Sequence, residues 1–238
     1  PQPDRADDAR ALRARCDALE ASLAQRTAEL AEAQRRMEAF AYGVSHDLRA
    51  PLRTIDGFAQ RMGRHADAIG EEGRDCLERI RGATQRMGGL MDNLLELARI
   101  SRAELRPGPV DISLLAEWVA AELQDLRRDQ AAQVQVQPGL EVQGDERLLK
   151  VLLSQLLRNA WQFAPPGAAV QVEVSGQRHG QRLHVLVRDH GIGFDMAYAD
   201  KLFEPFQRLH GGEQGAGDGI GLAIAQQVAQ RHHGRIHA

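Results

Sequence analysis

Aromatic residues are scarce in this sequence: 4% of 238 residues, with two Trp, two Tyr and six Phe. Its cores must therefore be built mostly from Leu, Val, Ile and Ala. Cysteine is nearly absent as well. Cys16 and Cys76 stand in unrelated contexts, with no CxxC and no Cys/His metal spacing, which excludes a zinc ribbon or a disulfide framework. Cys16 falls on an apolar helical stripe and is expected as a buried, reduced thiol, which fits a reducing, cytoplasmic setting. No run approaches the roughly 18 apolar residues of a membrane span. No charged-then-apolar signal peptide opens the chain. Neither sign of charge dominates, with 30 basic and 33 acidic residues and a net charge of −3. That balance excludes a broad nucleic-acid footprint, which needs a basic surface.

Proline is missing from Arg5 to Arg64 except at Pro51. Leu12, Cys16, Leu19, Leu23, Arg26, Leu30, Ala33, Met37, Phe40 and Val44 alternate spacings of four and three. This is an a/d heptad seam with one polar defect at Arg26, and so regular a seam requires a partner helix. A parallel dimer is the simplest one. Residues 65–73 break the pattern with Gly70 and Gly73. A second seam follows through Leu77, Ile80, Thr84, Met87, Met91, Leu94 and Ala98. Two long helices joined by a short turn predict an antiparallel hairpin, and two hairpins make a four-helix bundle. Gly88 and Gly89 lower helix propensity by roughly 1 kcal/mol each, and could let helices approach closely.

The segment Arg106-Pro-Gly-Pro109 reads as a linker, after which the pattern turns to mixed α and β. Helices are expected over Ser113–Arg128 (with Ser113 as N-cap), Asp145–Phe163 and Ile220–His233. Strands are expected over Gln133–Gln137, Val170–Ser175 and Leu183–Arg188, with another beginning in Gly234–Ala238.

Four constellations carry chemistry. In Ser45-His46-Asp47-Leu48-Arg49-Ala50-Pro51-Leu52-Arg53 the apolar positions face inward and His46 points roughly 160° away, toward solvent. Asp47 can hold one ring nitrogen and raise the nucleophilicity of the other, and Pro51 removes a backbone donor one turn on. Asn159 is polar on a helix packed with Leu152, Leu153, Leu156 and Leu157, and offers a hard oxygen to Mg2+. Asp189-His190-Gly191-Ile192-Gly193 follows a strand: its carboxylate can accept from an exocyclic amine, and its glycines let backbone approach a flat ring. Gly217-Asp218-Gly219-Ile220-Gly221-Leu222 opens the last helix, where free N–H groups face phosphate. No strand precedes it, so a Rossmann reading is rejected.

In this order, with Phe203-Glu204-Pro205-Phe206 between the last two, the motifs resemble those of two-component sensor histidine kinases across nearly the whole chain, most closely the phytochrome-like and PAS-coupled type. The resemblance implies an α plus α/β architecture. A coiled-coil signalling helix (1–36) and a dimerisation and histidine phosphotransfer domain (37–104) would form a dimeric four-helix bundle. A catalytic ATP-binding domain (105–238) of the α/β-sandwich histidine kinase/Hsp90-like type would follow. His46 would be the phosphoacceptor, with Asp47 as hydrogen-bond partner and general base. Asn159 would hold Mg2+ against ATP. Gln162, Phe163, Asp189, Gly191, Ile192, Gly193, Phe203, Phe206, Gly217, Gly219, Ile220, Gly221 and Leu222 would line the nucleotide site. The implied partners are a second copy of the chain, a response-regulator receiver domain and an upstream sensor domain absent from this chain.

Four departures qualify the resemblance. Gln155 stands where related hydrolysing ATPases place a glutamate, and an amide cannot act as general base, which favours phosphotransfer over hydrolysis. Gln162 replaces a frequent phosphate-binding lysine, which favours, as the alternative, a degenerate dimeric scaffold with weak nucleotide turnover. Ala50 stands where bifunctional members carry a water-positioning side chain, so weak phosphatase activity is expected. The pattern continues past Gly234–Ala238 with a further hairpin, so the chain is expected to end inside the domain.

Overall fold

A computed structural model describes residues 5–180, 182–207 and 218–238. Helix α1 (Arg5–Gly63) and helix α2 (Ala66–Arg102) form the expected antiparallel hairpin. The turn is tighter than the 65–73 break in the pattern: α2 starts at Ala66, and Gly70 (φ 69°) is the non-helical residue within it. Glycine adopts that backbone at no steric cost. Ion pairs Glu38–Arg102, Arg49–Asp92 and Asp56–Arg81 tie the two helices in one antiparallel register. Pro51 lies within α1 without ending it.

The N-terminal part of α1 runs on past the hairpin as a single helix. Its seam residues Leu12, Leu19, Leu23, Leu30, Met37 and Phe40 are 59–67% exposed. Cys16, expected to be buried, is exposed with them, because α2 ends level with Glu38 and no described residue covers the helix around Cys16. Cys76 is exposed too. No helix among the described residues is long and apolar enough to cross a membrane.

The second half is layered α/β. Strand β1 (Gly108–Asp111) pairs antiparallel with β3 (Glu141–Gly144). Strand β2 (Ala132–Val136) runs parallel to β4 (Val170–His179), which forms an antiparallel hairpin with β5 (Arg182–Asp189). Helices α3 (Ile112–Leu126) and α4 (Glu146–Gln162) cover this sheet, and Leu115, Val119, Leu153, Leu157, Trp161, Val170, Val172 and Val174 fill the core between them. Helix α5 (Gly221–Arg231) lies between α4 and α2. Ile220, Ile224 and Val228 meet Ile100, Leu94 and Leu97 of α2 and Leu148 of α4 in a second cluster, which joins the two halves.

Three local expectations are corrected. Asp111, not Ser113, caps α3: its carboxylate accepts from the Leu114 N–H. Ser113 is buried in the first turn, where its hydroxyl donates to Gln137 O and accepts from Leu140 N–H, stitching α3 to the β2–β3 loop. The Arg106–Pro109 linker is shorter than expected, since Gly108 and Pro109 already belong to β1; as an edge strand it tolerates proline. Residues 234–238 form no strand and pair with no described strand.

Candidate active site

His46 sits on the outer surface of α1 with its side chain 71% exposed, while Ala41 and Ser45 on the inner face are fully buried. Its Nδ1 lies 3.2 Å from Asp47 Oδ1, and the Tyr42 ring, one turn earlier, stacks near its ring at 6.4 Å between centroids. With Nδ1 engaged by the carboxylate, Nε2 is the nitrogen left to solvent. A positioned carboxylate of this kind holds the tautomer in which Nε2 keeps its lone pair.

The other motif residues converge around the ends of α4 and α5. Helix α4 begins at Asp145, whose carboxylate accepts from the Arg147 and Leu148 N–H groups as an N-cap. That side chain is 1% exposed and also accepts from the Arg147 guanidinium and the Arg106 N–H. Arg147 above all, then the backbone donors, holds the carboxyl well below the usual carboxylate range. The Asp145 N–H in turn donates to His232 Nε2, while His232 Nδ1 donates to Val228 O. This pair of bonds assigns His232 the neutral tautomer protonated at Nδ1. Asp145 thereby ties the start of α4 to the linker and to the end of α5.

At its other end α4 carries Asn159, Gln162 and Phe163, all half-buried. The loop after β5 closes on this end. The Ile192 N–H donates to Phe163 O (2.9 Å), and the Asp189 carboxylate accepts from the Gly191 N–H (2.9 Å). A Cβ at Gly191 would stand 2.7 Å from Phe163 O, so only glycine allows the approach. Gly191 and Ile192 are thus brought against Phe163, with Asp189 bonded to Gly191 beside them. Gln162 Nε2 is buried without a hydrogen-bond partner among the described residues, an orphaned donor in the same region.

Among the described residues no side chain caps the start of α5, where the first N–H groups have no intrahelical partner. The Phe206 N–H donates to Gly219 O at 2.7 Å, and Gly219 has φ +67° with no room for a Cβ beside Gln207 O. Gly221 packs against Gln155 of α4: a Cβ there would be 2.8 Å from Gln155 Oε1. Leu222 is half-buried, and Gly217 lies outside the described residues. The side chain of Ile220 is fully buried in the second cluster, so only its backbone is available to a ligand. Phe203 goes elsewhere. It is buried beside a cleft of about 200 Å³ between the two halves, lined by Met37, Ala41, Leu94, Leu97, Pro205 and Ala223 among others. Phe206 stays 61% exposed with φ +66°.

Several residues at this junction carried no readable signal. Asn93 of α2 donates to Asp218 Oδ2 (3.0 Å), and Glu96 lies 3.4 Å from Gln155 Nε2. Burial raises the Glu96 carboxyl above its ordinary value, against the opposing pull of Arg158, Gln155 and Arg99. The Arg231 guanidinium donates to the Ser101 and Ala103 carbonyls at the end of α2. The doubled glycine at 88–89 was the one visible hint.

Comparison with known proteins agrees with this arrangement. Residues 36–103 match the His Kinase A (phospho-acceptor) domain, and residues 144–238 match the histidine kinase-, DNA gyrase B-, and HSP90-like ATPase family. Phytochrome-like protein Cph1 of Synechocystis sp. is 27% identical over 90% of this chain and 29% of its own length. Histidine protein kinase DivJ of Caulobacter vibrioides is 32% identical over 83% of this chain and 34% of its own. The chain therefore spans about a third of the length of these relatives. The crystal structure of full-length ShkA in complex with AMPPNP shares the fold, with a TM-score of 0.59 at 24% identity over 84% of this chain and 42% of that one. A histidine-bearing helical hairpin followed by this ATPase fold, matched in that order, places the chain in the sensor histidine kinase family.

Proposed function

We propose that the chain phosphorylates its own His46 with ATP and passes the phosphoryl group to an aspartate of a response-regulator receiver domain. The observation that carries this reading is the exposed His46–Asp47 pair on a hairpin against which the nucleotide fold is packed through α5. The Nε2 lone pair of His46 attacks the γ-phosphorus; the new N–P bond forms as the bond to the departing ADP oxygen breaks. Asp47 stabilises the positive charge that grows on the ring and takes up the Nδ1 proton.

The nucleotide would be held by groups already gathered. Asp189 would accept from the adenine amine, and Gly191 and Gly193 would form the floor beside Phe163. The open N–H groups of α5 and the unpaired Gln162 donor suit phosphate oxygens. No group of three or more His, Cys, Asp or Glu side chains is assembled for a metal among the described residues. A Mg2+ ion would therefore be shared between Asn159 and the phosphates, the usual way this ion is held, and would neutralise charge on the transferred group. The exposed seam of α1 supports a homodimer through a parallel coiled coil. An upstream sensor domain belongs to the same reading, in which α1 carries the signal into the hairpin.

Incubation with γ-labelled ATP is expected to label His46 with acid-labile, alkali-stable phosphate. His46→Gln should abolish the label while nucleotide binding persists. Label that survives in this variant sinks the assignment. The neutral Gln162 favours a second reading, a dimeric scaffold that relays conformation. In that case a fluorescent ATP analogue would show no Mg2+-dependent binding.

A further inference from the structure

We propose that Gly89 and Asn93 form a notch on α2 that latches the nucleotide fold in a resting position by seating Asp218. The inference rests on the kinase reading above and concerns its regulation.

Gly88 and Gly89 sit in the middle of a long helix, where glycine is costly. They are not equivalent. A Cβ at Gly88 would meet nothing within 4 Å, whereas one at Gly89 would lie 2.8 Å from Asp218 Oδ2. The missing side chain at 89 makes room for the carboxylate. Asn93, one turn on, donates to the same oxygen at 3.0 Å, and both groups are half-buried. Glu96 meets Gln155 a turn further, and Ser101 and Ala103 receive Arg231 at the helix end. Residues 89, 93, 96 and 100 recur at helical spacing, so these contacts share one stripe of α2, beside Leu94 and Leu97. Ile100 on that stripe is buried against Ile220 and Ile224.

This seat is at the right height for His46 and on the wrong side. The pairs Glu38–Arg102 and Arg49–Asp92 put His46 level with Leu94 and Leu95, between Asn93 and Glu96. The α1 residues facing the interdomain cleft, however, are Met37 and Ala41. His46 lies about 140° around the helix from Ala41 and about 180° from Met37. Seated in the notch, the nucleotide fold cannot present phosphate to the His46 of its own subunit. Asp218 is also adjacent to the uncapped start of α5, where the phosphates of ATP would add like charge beside it. Like charges at such range repel, so nucleotide loading loosens the latch.

The test uses the full chain with Cys16→Ser and Cys76→Ser as parent. Asn93→Ala and Gly89→Ala should each raise the initial rate of His46 labelling about five-fold or more, the scale of a lost hydrogen bond to a charged group. Binding of a fluorescent ATP analogue should stay within about two-fold, since neither residue touches nucleotide. Gly89→Ala is the sharper variant, because alanine strengthens the helix while blocking the notch. Gly89→Cys with Asp218→Cys should crosslink readily on mild oxidation. The crosslinked form should bind the analogue, label His46 at least about ten-fold more slowly, and recover on reduction. Labelling by the crosslinked form at the parent rate, failure to crosslink, or unchanged or slower labelling by both single variants overturns the latch. A parent that binds the analogue but never labels His46 overturns the kinase reading itself, an outcome distinct from these.

Discussion

The first part of α1 and helix α4 both carry apolar stripes and meet opposite fates. Leu12, Leu19, Leu23 and Leu30 stand in solvent, while Leu153, Leu157 and Trp161 are almost completely buried under the sheet. Periodicity marks which face of a helix is apolar. It says nothing of what covers that face. In the nucleotide fold the cover is local in the chain, because β2, β4 and α3 lie on either side of α4 in sequence. Along the first part of α1 no described residue supplies it, and the proposed cover is the same seam of a second copy.

That difference can be broken from either side. Leu23→Asp would place a charge in the seam. The expected outcome is loss of the dimer, about 4 kcal/mol or more across two chains, seen as halved mass in sedimentation with the circular dichroism of the nucleotide fold retained. Dimer mass that persists would mean that the hairpins hold the dimer without this seam. Leu157→Ala attacks the other stripe. It should cost about 3 kcal/mol through the cavity it leaves, read as a lower melting point and weaker nucleotide binding at 37 °C, with dimer mass unchanged.

Asp145→Ala should cost about 2 kcal/mol, since it removes a helix cap and the ties to Arg106 and Arg147. The folded carboxyl titrates below its unfolded value, so this contribution is present above roughly pH 4 and is lost as pH falls from there. The gap between parent and variant melting points should therefore close on acidification. The smallest effect is at the junction of the two halves. Burial raises Glu96, so the stability tied to its protonated form is full at low pH and lost as pH rises through the folded value. Glu96→Gln should match the parent near pH 4 and exceed it slightly at neutrality. A variant less stable than the parent at pH 7 would show that the Gln155 contact outweighs burial.

Legibility followed the same division. The hairpin, the helices α3 to α5 and the three strands of the larger sheet were readable, because each rests on a pattern within a short window. The motifs around His46, Asn159, Asp189 and Gly219 were readable for the same reason. Strands β1 and β3 were not: four residues are too few for an alternation to show, and Pro109 argues locally against a strand. Ser113 looked like a cap until tertiary contacts claimed its hydroxyl and left the cap to Asp111. Cys16 was assigned to a buried face by its spacing, and the single helix left it in solvent.

By itself the sequence determined the periodic elements, the order of the motifs and the pairing of His46 with Asp47, since those depend on neighbours within one or two turns. The tertiary structure alone decided that Phe203 and Ile220 pack between the halves, that Asp145 ties α4 to α5, and that Gly89 and Asn93 receive Asp218. These contacts join residues more than eighty positions apart. Each is specified by shape and charge at one point in space, and a hydrogen bond across such a separation leaves no repeat or spacing along the chain by which it can be read.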